Sequence, residues 1–356
     1  MTSLPRAEAL TSLRFFAAAH VVAYHYARDT PGLPAFVTSL LYAGPCSVGL
    51  FFVLSGFVLA RRYSDGVPVW DYAVARIARI VPLYWLALIL AAPLLLVTPH
   101  PVAALIMVPT FLQAWAPYTA LAWNEPAWSL SAEMFFYAAF PVLLTWAQRR
   151  RAPLRAAILV WVGTVSFLTA VMTVYHPARA SFALIPDDPV LGTLLFNPAL
   201  MLPQFALGVL LGAARFRLAG WWLAAGAGAL TLILAGLPLP RLLMNGGALM
   251  PVFGLLIVAA AGIQRGWLTS RPLVQAGEAS YGLYLLQLPI ALWFSIVYAP
   301  PSQAFTLYFA VLVAASLMTH RFIEVPLRQA IRRAMASDFA LMKRAVRGKP
   351  PSEGAA

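Results

Sequence analysis

The sequence predicts an all-α fold, that of a polytopic integral membrane protein with about ten transmembrane helices. Hydrophobic residues make up 62% of the 356 residues and charged residues only 10%, unlike an average soluble domain. Apolar segments of roughly 17–20 residues, the length of a membrane-spanning helix, recur along the whole chain. Lysine and arginine outnumber aspartate and glutamate by 25 to 12 and cluster between these segments. This charge indicates contact with anionic membrane lipid, and we expect no nucleic acid partner.

The direction of the spans follows from the basic residues. The apolar segments are 10–28, 42–60, 80–97, 102–117, 128–146, 156–174, 199–214, 221–238, 244–263, 279–298 and 304–320. We place the N-terminus in the cytoplasm and assume that segment 102–117 does not cross the membrane. The cytoplasmic side then holds 21 of the 25 lysines and arginines, all except Arg14, Arg28, Arg179 and Arg241. The positive-inside rule therefore favours about ten spans, cytoplasmic N- and C-termini, and a short re-entrant or interfacial segment at 102–117.

Composition divides the chain into two parts. Residues 1–333 contain the apolar segments and form the predicted transmembrane domain. Residues 334–356 form a basic cytoplasmic tail that is expected to be partly disordered, because it ends in PPSEGAA. Cys46 is the single cysteine of the sequence. It excludes an internal disulfide framework and a cysteine-rich metal site, and we expect no metal.

The first segment carries ionisable residues that a membrane span normally lacks. Arg14 and His25 are eleven residues apart, which places them on one helix face about 16 Å apart along the axis. Such groups usually face a cavity or a partner. Two other interpretations stay open: Arg14 reaches the inner headgroups, and His25 makes a structural hydrogen bond at the outer interface. His20 points away from this face, and we expect a structural role for it.

Two further stretches place charged residues at predicted span ends. Arg76 and Arg79 lie at positions i and i+3 of ARIARIVPLYW, so both guanidinium groups share a helix face. Such a pair suits a phosphate or pyrophosphate, and a topology anchor is the alternative. Glu133 in PAWSLSAEMFFY is expected at the depth of His25. There its carboxylate is placed to orient an imidazole for general-base catalysis.

Other polar residues within the predicted spans have ordinary interpretations. Trp128 fits the interfacial aromatic belt. Ser55 lies in FFVLSGF, where small residues permit close helix packing. Tyr281 and Tyr284 lie at positions i and i+3 of SYGLYLLQLP, followed by Gln287. Packing is the ordinary interpretation of that stretch as well.

Together these stretches resemble the membrane-bound acyltransferase family 3, bacterial O-acyltransferases that modify surface sugars. The resemblance extends from about Leu10 to Arg333, and its motifs occur in the expected order. They are Arg14-x10-His25, FFVLSGF, Arg76-x-x-Arg79 followed by PLYW, WSLSAE, SYGLYLLQLP and FIEVPLR. The resemblance implies transfer of an acyl group, usually acetyl, from cytoplasmic acyl-CoA to an acceptor hydroxyl. It also implies a multi-pass protein of the bacterial cytoplasmic (inner) membrane.

The resemblance also implies roles for individual residues. Arg76 and Arg79 would bind the phosphates of acetyl-CoA, and Arg14 would line the donor's path. His25 would act as general base, oriented by Glu133, with an acyl-histidine intermediate as the alternative. Further substrate-binding candidates are Ser55, Trp128, Tyr281, Tyr284 and Gln287.

Two positions depart from the family pattern. Many relatives carry a histidine where Gln287 stands and a second acid where Met134 follows Glu133. An amide donates and accepts hydrogen bonds but does not act as a base, so we expect no proton transfer through Gln287. We expect no appended soluble domain, so the helical bundle would complete the transfer alone or with a separate partner.

The expected acceptor is a glycan or glycolipid: an exopolysaccharide, a lipopolysaccharide or a lipid-linked sugar. A glycosylated small metabolite such as a macrolide is an alternative, and polysaccharide-assembly machinery is a further expected partner. Two other classes compete with an enzyme. A permease for a sugar or acyl compound would use Arg76 and Arg79 only as anchors, and a scaffold would tolerate the loss of His25. Residue spacing alone supports an enzyme and a permease about equally, and the family resemblance favours the enzyme.

Overall fold

In the computed structural model the described residues are 8–175, 189–214, 220–237 and 240–346. Regular secondary structure in these ranges is helical, without a β-strand, which confirms the predicted all-α class. The α-helices are α1 (Glu8–Tyr26), α2 (Ala35–Tyr42), α3 (Cys46–Arg62), α4 (Val69–Leu90), α5 (Ala92–Leu95), α6 (Pro101–Met107), α7 (Trp128–Gln148), α8 (Pro153–Tyr175), α9 (Pro189–Phe196), α10 (Pro198–Ala213), α11 (Trp221–Ala235), α12 (Arg241–Gly246), α13 (Met250–Ala261), α14 (Arg271–Glu278), α15 (Ser280–Leu285), α16 (Gln287–Val297), α17 (Phe305–Thr319) and α18 (Val325–Val346). Short 3-10 helices lie at Gln113–Trp115, Glu125–Ala127 and Trp267–Thr269, and a π-helix lies at His320–Glu324.

Five helical stretches are long and apolar enough to cross a membrane. They are Val69–Leu90, Glu125–Gln148, Pro153–Val174, Pro189–Ala213 and Phe305–Met335. The pair α2 and α3, bent by 50°, makes a sixth if it forms one span. By length and composition the described residues therefore contain five or six candidate spans, those of a membrane protein. The number of about ten spans and the cytoplasmic position of both termini stay predictions.

Several of the predicted apolar segments are interrupted, among them 102–117 and 279–298. Segment 102–117 forms α6, a turn and the 3-10 helix Gln113–Trp115, so it has no continuous helix of spanning length. Segment 279–298 is divided at Leu286 into α15 and α16. Pro289 accounts for this second break, because proline has no N–H to bond the carbonyl oxygen four residues earlier, that of Leu285.

The bend between α2 and α3 is fixed by His20 of α1. Its Nδ1 lies 2.8 Å from the Ser47 hydroxyl oxygen of α3, and its Nε2 lies 2.7 Å from the Leu40 carbonyl oxygen of α2. Both ring nitrogens are therefore used in joining three helices. The structural role expected for His20 is confirmed.

Helices α3 and α10 pack with their backbones in contact. A Cβ atom at Gly56 of α3 would overlap the carbonyl oxygen of Phe205, and one at Gly208 of α10 would overlap that of Val53. Small residues at this interface let the two helices approach closely. The packing interpretation of FFVLSGF is thereby confirmed for Gly56.

The predicted boundary between domain and tail falls inside a helix. The backbone of α18 runs without a break from Val325 past residue 333 to Val346. The end of the predicted tail, 347–356, lies outside the described residues. The division into residues 1–333 and 334–356 therefore stays a prediction.

Candidate active site

Helix α1 holds Arg14 and His25 on one continuous helix of 19 residues. Eleven residues of rise separate them by about 16 Å along the axis. Both side chains are half-buried. Their surroundings differ: Arg14 lies among charged residues of α4 and α7, whereas His25 lines a cavity.

The first group of polar residues is the arginine cluster, formed by Arg14, Arg76 and Arg79. The charges of Arg76, Arg79 and Glu133 all act on Arg14, and Arg79 also interacts with Glu133 and Glu324. Helix α4 begins at Val69 rather than at the predicted residue 80, so Arg76 and Arg79 lie inside this helix. Three guanidinium groups near two carboxylates leave an excess positive charge. The cluster is therefore suited to an anion such as a phosphate.

Arg76 has an unused hydrogen-bond donor. Its guanidinium carbon lies 5.5 Å from the centre of the Tyr137 ring and 5.9 Å from that of Tyr72. Its Nε is buried, and no atom of the described residues accepts a hydrogen bond from it. A buried donor without a partner is unfavourable by about 1–3 kcal/mol. An anion bound here would remove that penalty.

Glu133 interacts both with the arginine cluster and with Tyr284 of α15. Its carboxylate accepts a hydrogen bond from the Tyr137 hydroxyl one turn later on α7, and it acts electrostatically on Arg14 and Arg79. The predicted depth was counted from the start of the apolar run at 128. Asn124 and Pro126, just before this run, are hydrogen-bonded to α15, and the depth of Glu133 relative to His25 stays a prediction. Its role beside His25 stays a prediction.

The second group of polar residues surrounds a small cavity of about 40 Å³. The lining residues come from α1, α3, the loop before α7 and neighbouring helices, and are Val21, Tyr24, His25, Pro45, Val48, Leu121, Glu125, Pro126, Trp128, Phe196, Asn245 and Tyr284. The set combines an imidazole, a carboxylate, two phenols and an amide with apolar walls. We call it the His25 cavity. Its volume has room for a group of the size of a water molecule or a hydroxyl.

Aromatic and hydroxyl contacts hold two walls of the His25 cavity in place. The Tyr284 hydroxyl donates to the Pro126 carbonyl oxygen at 2.9 Å and lies 2.9 Å from the Ser129 hydroxyl. The Trp128 ring packs edge-to-face against Phe196, with ring centres 5.0 Å apart. These contacts place Tyr284 and Trp128, two of the substrate-binding candidates, beside His25.

The broken helix α15–α16 lies next to this cavity. The carbonyl oxygen of Gln287 accepts hydrogen bonds from Tyr26 of α1 at 3.3 Å and from Tyr308 of α17 at 2.7 Å. The Asn124 amide donates to the Leu285 carbonyl oxygen at 3.2 Å, and the Gln287 amide donates to that of Tyr284 at 2.7 Å. The Leu285 carbonyl oxygen, which Pro289 leaves without a backbone donor, is thus bonded by a side chain.

Asn124 and Gln287 each keep one unused acceptor. Both side chains are fully buried, and their amide oxygens have no hydrogen-bond partner among the described residues. Buried acceptors of this kind are normally paired with protein or water donors. They are therefore available to N–H or O–H groups of a bound substrate.

The remaining candidates divide between the two groups of polar residues. Tyr281 donates to the Ile80 carbonyl oxygen at 2.9 Å and interacts with Glu133 and Arg79, so it belongs with the arginine cluster. Ser55 is half-buried on α3 and is not among the described residues that line the His25 cavity. Its substrate-binding role stays a prediction.

Sequence reasoning missed Asn124, Glu125 and the Glu324 carboxylate. The first two occur in WNEP, directly before the WSLSAE motif, and that adjacency was the available signal. Glu324 is part of the quoted stretch FIEVPLR but received no role. It is 1% exposed, and the Nδ1 of His320 lies 3.1 Å from it within the π-helix, a distortion that frequently occurs at functional sites.

Comparison with known proteins identifies the family. The family described as an acyltransferase domain matches residues 8–320. The acyltransferase MdmB of Streptomyces mycarofaciens is 30% identical over 79% of this chain and 78% of that protein. The exopolysaccharide production protein ExoZ of Rhizobium meliloti is 32% identical over 68% of this chain and 75% of that protein. The O-acetyltransferase OatA of Staphylococcus aureus is 23% identical over 90% of this chain and 57% of that protein. No solved structure matches the chain.

These matches extend over most of the chain and include both groups of polar residues. The protein therefore belongs to acyltransferase family 3, the family that its motifs resemble, and is a membrane acyltransferase.

Proposed function

We propose that the protein moves an acetyl group from cytoplasmic acetyl-CoA to a sugar hydroxyl of an exopolysaccharide, a lipopolysaccharide or a lipid-linked glycan. We propose further that it is a multi-pass protein of the bacterial cytoplasmic membrane. The observation that carries the proposal is the arrangement on α1, where a cationic cluster and a histidine-lined cavity lie about 16 Å apart. An extended pantetheine arm has a comparable length, so the phosphates and the thioester of one CoA molecule match these two positions.

In this proposal the arginine cluster binds the donor phosphates. Arg76 and Arg79 contact them directly, and Arg14 lies where the pantetheine arm begins. Tyr281 lies next to this cluster, where its hydroxyl donates a hydrogen bond to the Ile80 carbonyl oxygen of α4. The unused amide oxygens of Asn124 and Gln287 accept hydrogen bonds from the pantetheine N–H groups, which satisfies acceptors that are otherwise unpaired.

His25 acts as general base in the proposed reaction. Its imidazole takes the proton of the acceptor hydroxyl while the hydroxyl oxygen attacks the thioester carbonyl carbon. A carbon–oxygen bond forms, the carbon–sulfur bond breaks, and the imidazolium returns the proton to the CoA thiolate. Transfer through an acyl-histidine is the alternative route. Trp128 and Tyr284 form walls on which the acceptor sugar packs.

Names of the relatives support the acceptor class. ExoZ is an exopolysaccharide production protein and OatA is an O-acetyltransferase. Both names are consistent with acetylation of a glycan hydroxyl by this chain, in contact with polysaccharide-assembly machinery. A permease without chemistry is not favoured, because the matched family consists of acyltransferases.

Labelled acetyl-CoA supplied to inverted membrane vesicles tests the proposal. We expect release of free CoA and labelling of envelope glycan by the wild type, and loss of both in His25→Asn. His100→Asn is the matched control, because His100 is an exposed histidine between α5 and α6. Equal membrane levels of all three proteins exclude a folding defect. Normal turnover in His25→Asn would remove histidine from the mechanism, and no turnover of any acyl-CoA by the wild type would contradict the proposed donor.

A further inference from the structure

We infer that Glu125, rather than Glu133, is the carboxylate that positions His25. This inference rests on the proposed function of His25. Glu125 and His25 line the same cavity, whereas Glu133 is not among its described lining residues and is hydrogen-bonded to Tyr137. Glu133 acts electrostatically on Arg14 and, with Glu125, on Tyr284. The two carboxylates of this stretch therefore serve different ends of α1.

The spacing along the chain supports this assignment. Glu125 begins the 3-10 helix that leads directly into α7, and Glu125–Gln148 forms one helical stretch of 24 residues. Eight residues of rise separate Glu125 from Glu133, which is about 12 Å. Arg14 and His25 are about 16 Å apart on α1. Because Glu133 acts electrostatically on Arg14, this offset agrees with the position of Glu125 in the wall of the cavity that His25 also lines.

The backbone on both sides of Glu125 is fixed relative to the cavity. Asn124 is bonded to the Leu285 carbonyl oxygen, and the Pro126 carbonyl oxygen accepts from Tyr284 at 2.9 Å and from Ser129 at 3.2 Å. Pro126 also restricts its own φ angle. A carboxylate held on such a rigid segment is well placed to orient a neighbouring ring.

The titratable groups around His25 are few. Those lining the cavity with it are Tyr24, Glu125 and Tyr284. Tyr26 lies in ring contact with His25, at 5.9 Å between ring centres, and the Arg28 guanidinium lies over the Tyr24 ring at 4.6 Å. Glu125 is therefore the carboxylate among the described lining residues. It accepts the N–H of one imidazole nitrogen, which fixes the tautomer and directs the other nitrogen to the acceptor hydroxyl.

An ordinary alternative is that Glu125 only stabilises the helix start, where a negative charge is favourable by about 0.3–1 kcal/mol. The two roles differ in their effect on His25. A carboxylate beside an imidazole stabilises its protonated form, whereas an acid that interacts only with the helix end leaves the imidazole unchanged.

The test measures His25 directly, without turnover. The purified full-length protein reacts with diethyl pyrocarbonate, which modifies neutral imidazole, over a range of pH, and mass spectrometry follows the peptide containing His25. In Glu125→Gln we expect the pH of half-maximal modification to fall by about one unit. In Glu125→Asp it should stay near the wild-type value, and in the matched variant Glu133→Gln it should not move.

Acetyl-CoA turnover by the same variants completes the test. Glu125→Gln should lower kcat by about 10- to 100-fold with little change in the KM for acetyl-CoA. Glu133→Gln should mainly lower that KM, because it removes a negative charge near the arginine cluster. A shift of the His25 midpoint in Glu133→Gln alone, or in neither variant, would overturn the inference. If the midpoint shifts in Glu125→Gln but the wild type turns over no acyl-CoA, the pairing stands and the proposed function fails.

Discussion

The side-chain amide of Asn124 donates a hydrogen bond to the carbonyl oxygen of Leu285, 3.2 Å away. This is the oxygen that Pro289 leaves without a backbone donor. A residue of the loop before α7 thus completes the hydrogen bonding of the broken helix α15–α16. The same contact fixes the segment that carries Glu125.

Loss of this bond should destabilise the fold. We expect Asn124→Ala to lower the free energy of unfolding by about 1–3 kcal/mol, because it leaves the Leu285 carbonyl oxygen buried and unpaired. Pro289→Ala restores a backbone N–H to the helix, so the double variant should recover part of this loss. Thermal unfolding in detergent measures all three variants as a cycle. Strictly additive losses would show that Asn124 and Pro289 do not act on the same carbonyl.

Substitutions in the arginine cluster should separate donor binding from catalysis. Arg76→Ala and Arg79→Ala are each expected to raise the KM for acetyl-CoA by about 10-fold or more, since each removes a charged hydrogen-bond donor to phosphate worth about 1.5–3 kcal/mol. The KM for the glycan acceptor should stay nearly constant. Arg155→Ala, an exposed residue near the start of α8, is the control. An unchanged donor KM would reduce both arginines to topology anchors.

The contact between α3 and α10 predicts a difference between glycines. Gly208→Ala should destabilise the protein by about 1–3 kcal/mol, because the added Cβ would overlap the Val53 carbonyl oxygen and force the helices apart. Gly226→Ala is the matched control, since no atom lies within 4 Å of its Cβ position. There we expect a neutral or slightly stabilising effect. Comparable losses in both variants would contradict close packing as the reason for Gly208.

The topology predicted from charge can be checked with reporter fusions at two positions. A reporter enzyme fused after Gln148, at the end of α7, should be active on the cytoplasmic side, because the basic stretch QRRRAPLR follows. A fusion within the Asp29–Thr30 region after α1 should report the opposite side. A periplasmic signal from the first fusion would exclude the arrangement with about ten spans.

The all-α class could be predicted from the sequence, because composition and the length of the apolar runs can be read without knowledge of tertiary contacts. The sequence also placed Arg14 with His25 on one helix and gave His20 its structural role. It did not show that Glu133 interacts with Arg14 and Arg79, because span depth was counted from hydropathy. Hydropathy does not show that the polar stretch WNEP is packed inside the protein.

The hydrogen-bond partners at the break between α15 and α16 could not be predicted from the sequence for another reason. Pro289 is visible in SYGLYLLQLP, but the donors that bond the carbonyl oxygens of Leu285 and Gln287 come from distant residues, Asn124 and Tyr308. Such pairings depend on tertiary packing. The division of charged residues between the arginine cluster and the His25 cavity depends on the same packing.

Because one uninterrupted helix carries both Arg14 and His25, α1 fixes the distance between the two residues and the angle between them around the helix axis. Inserting a single residue between them would rotate His25 by about 100° away from the face it shares with Arg14. Inserting seven residues would return His25 to the face of Arg14 but increase the distance between them along the axis by about 10 Å. If the proposed reaction is right, this spacing of eleven residues sets the length that a donor needs between its phosphates and its thioester. A donor with a shorter arm is then expected to bind the arginine cluster without acyl transfer.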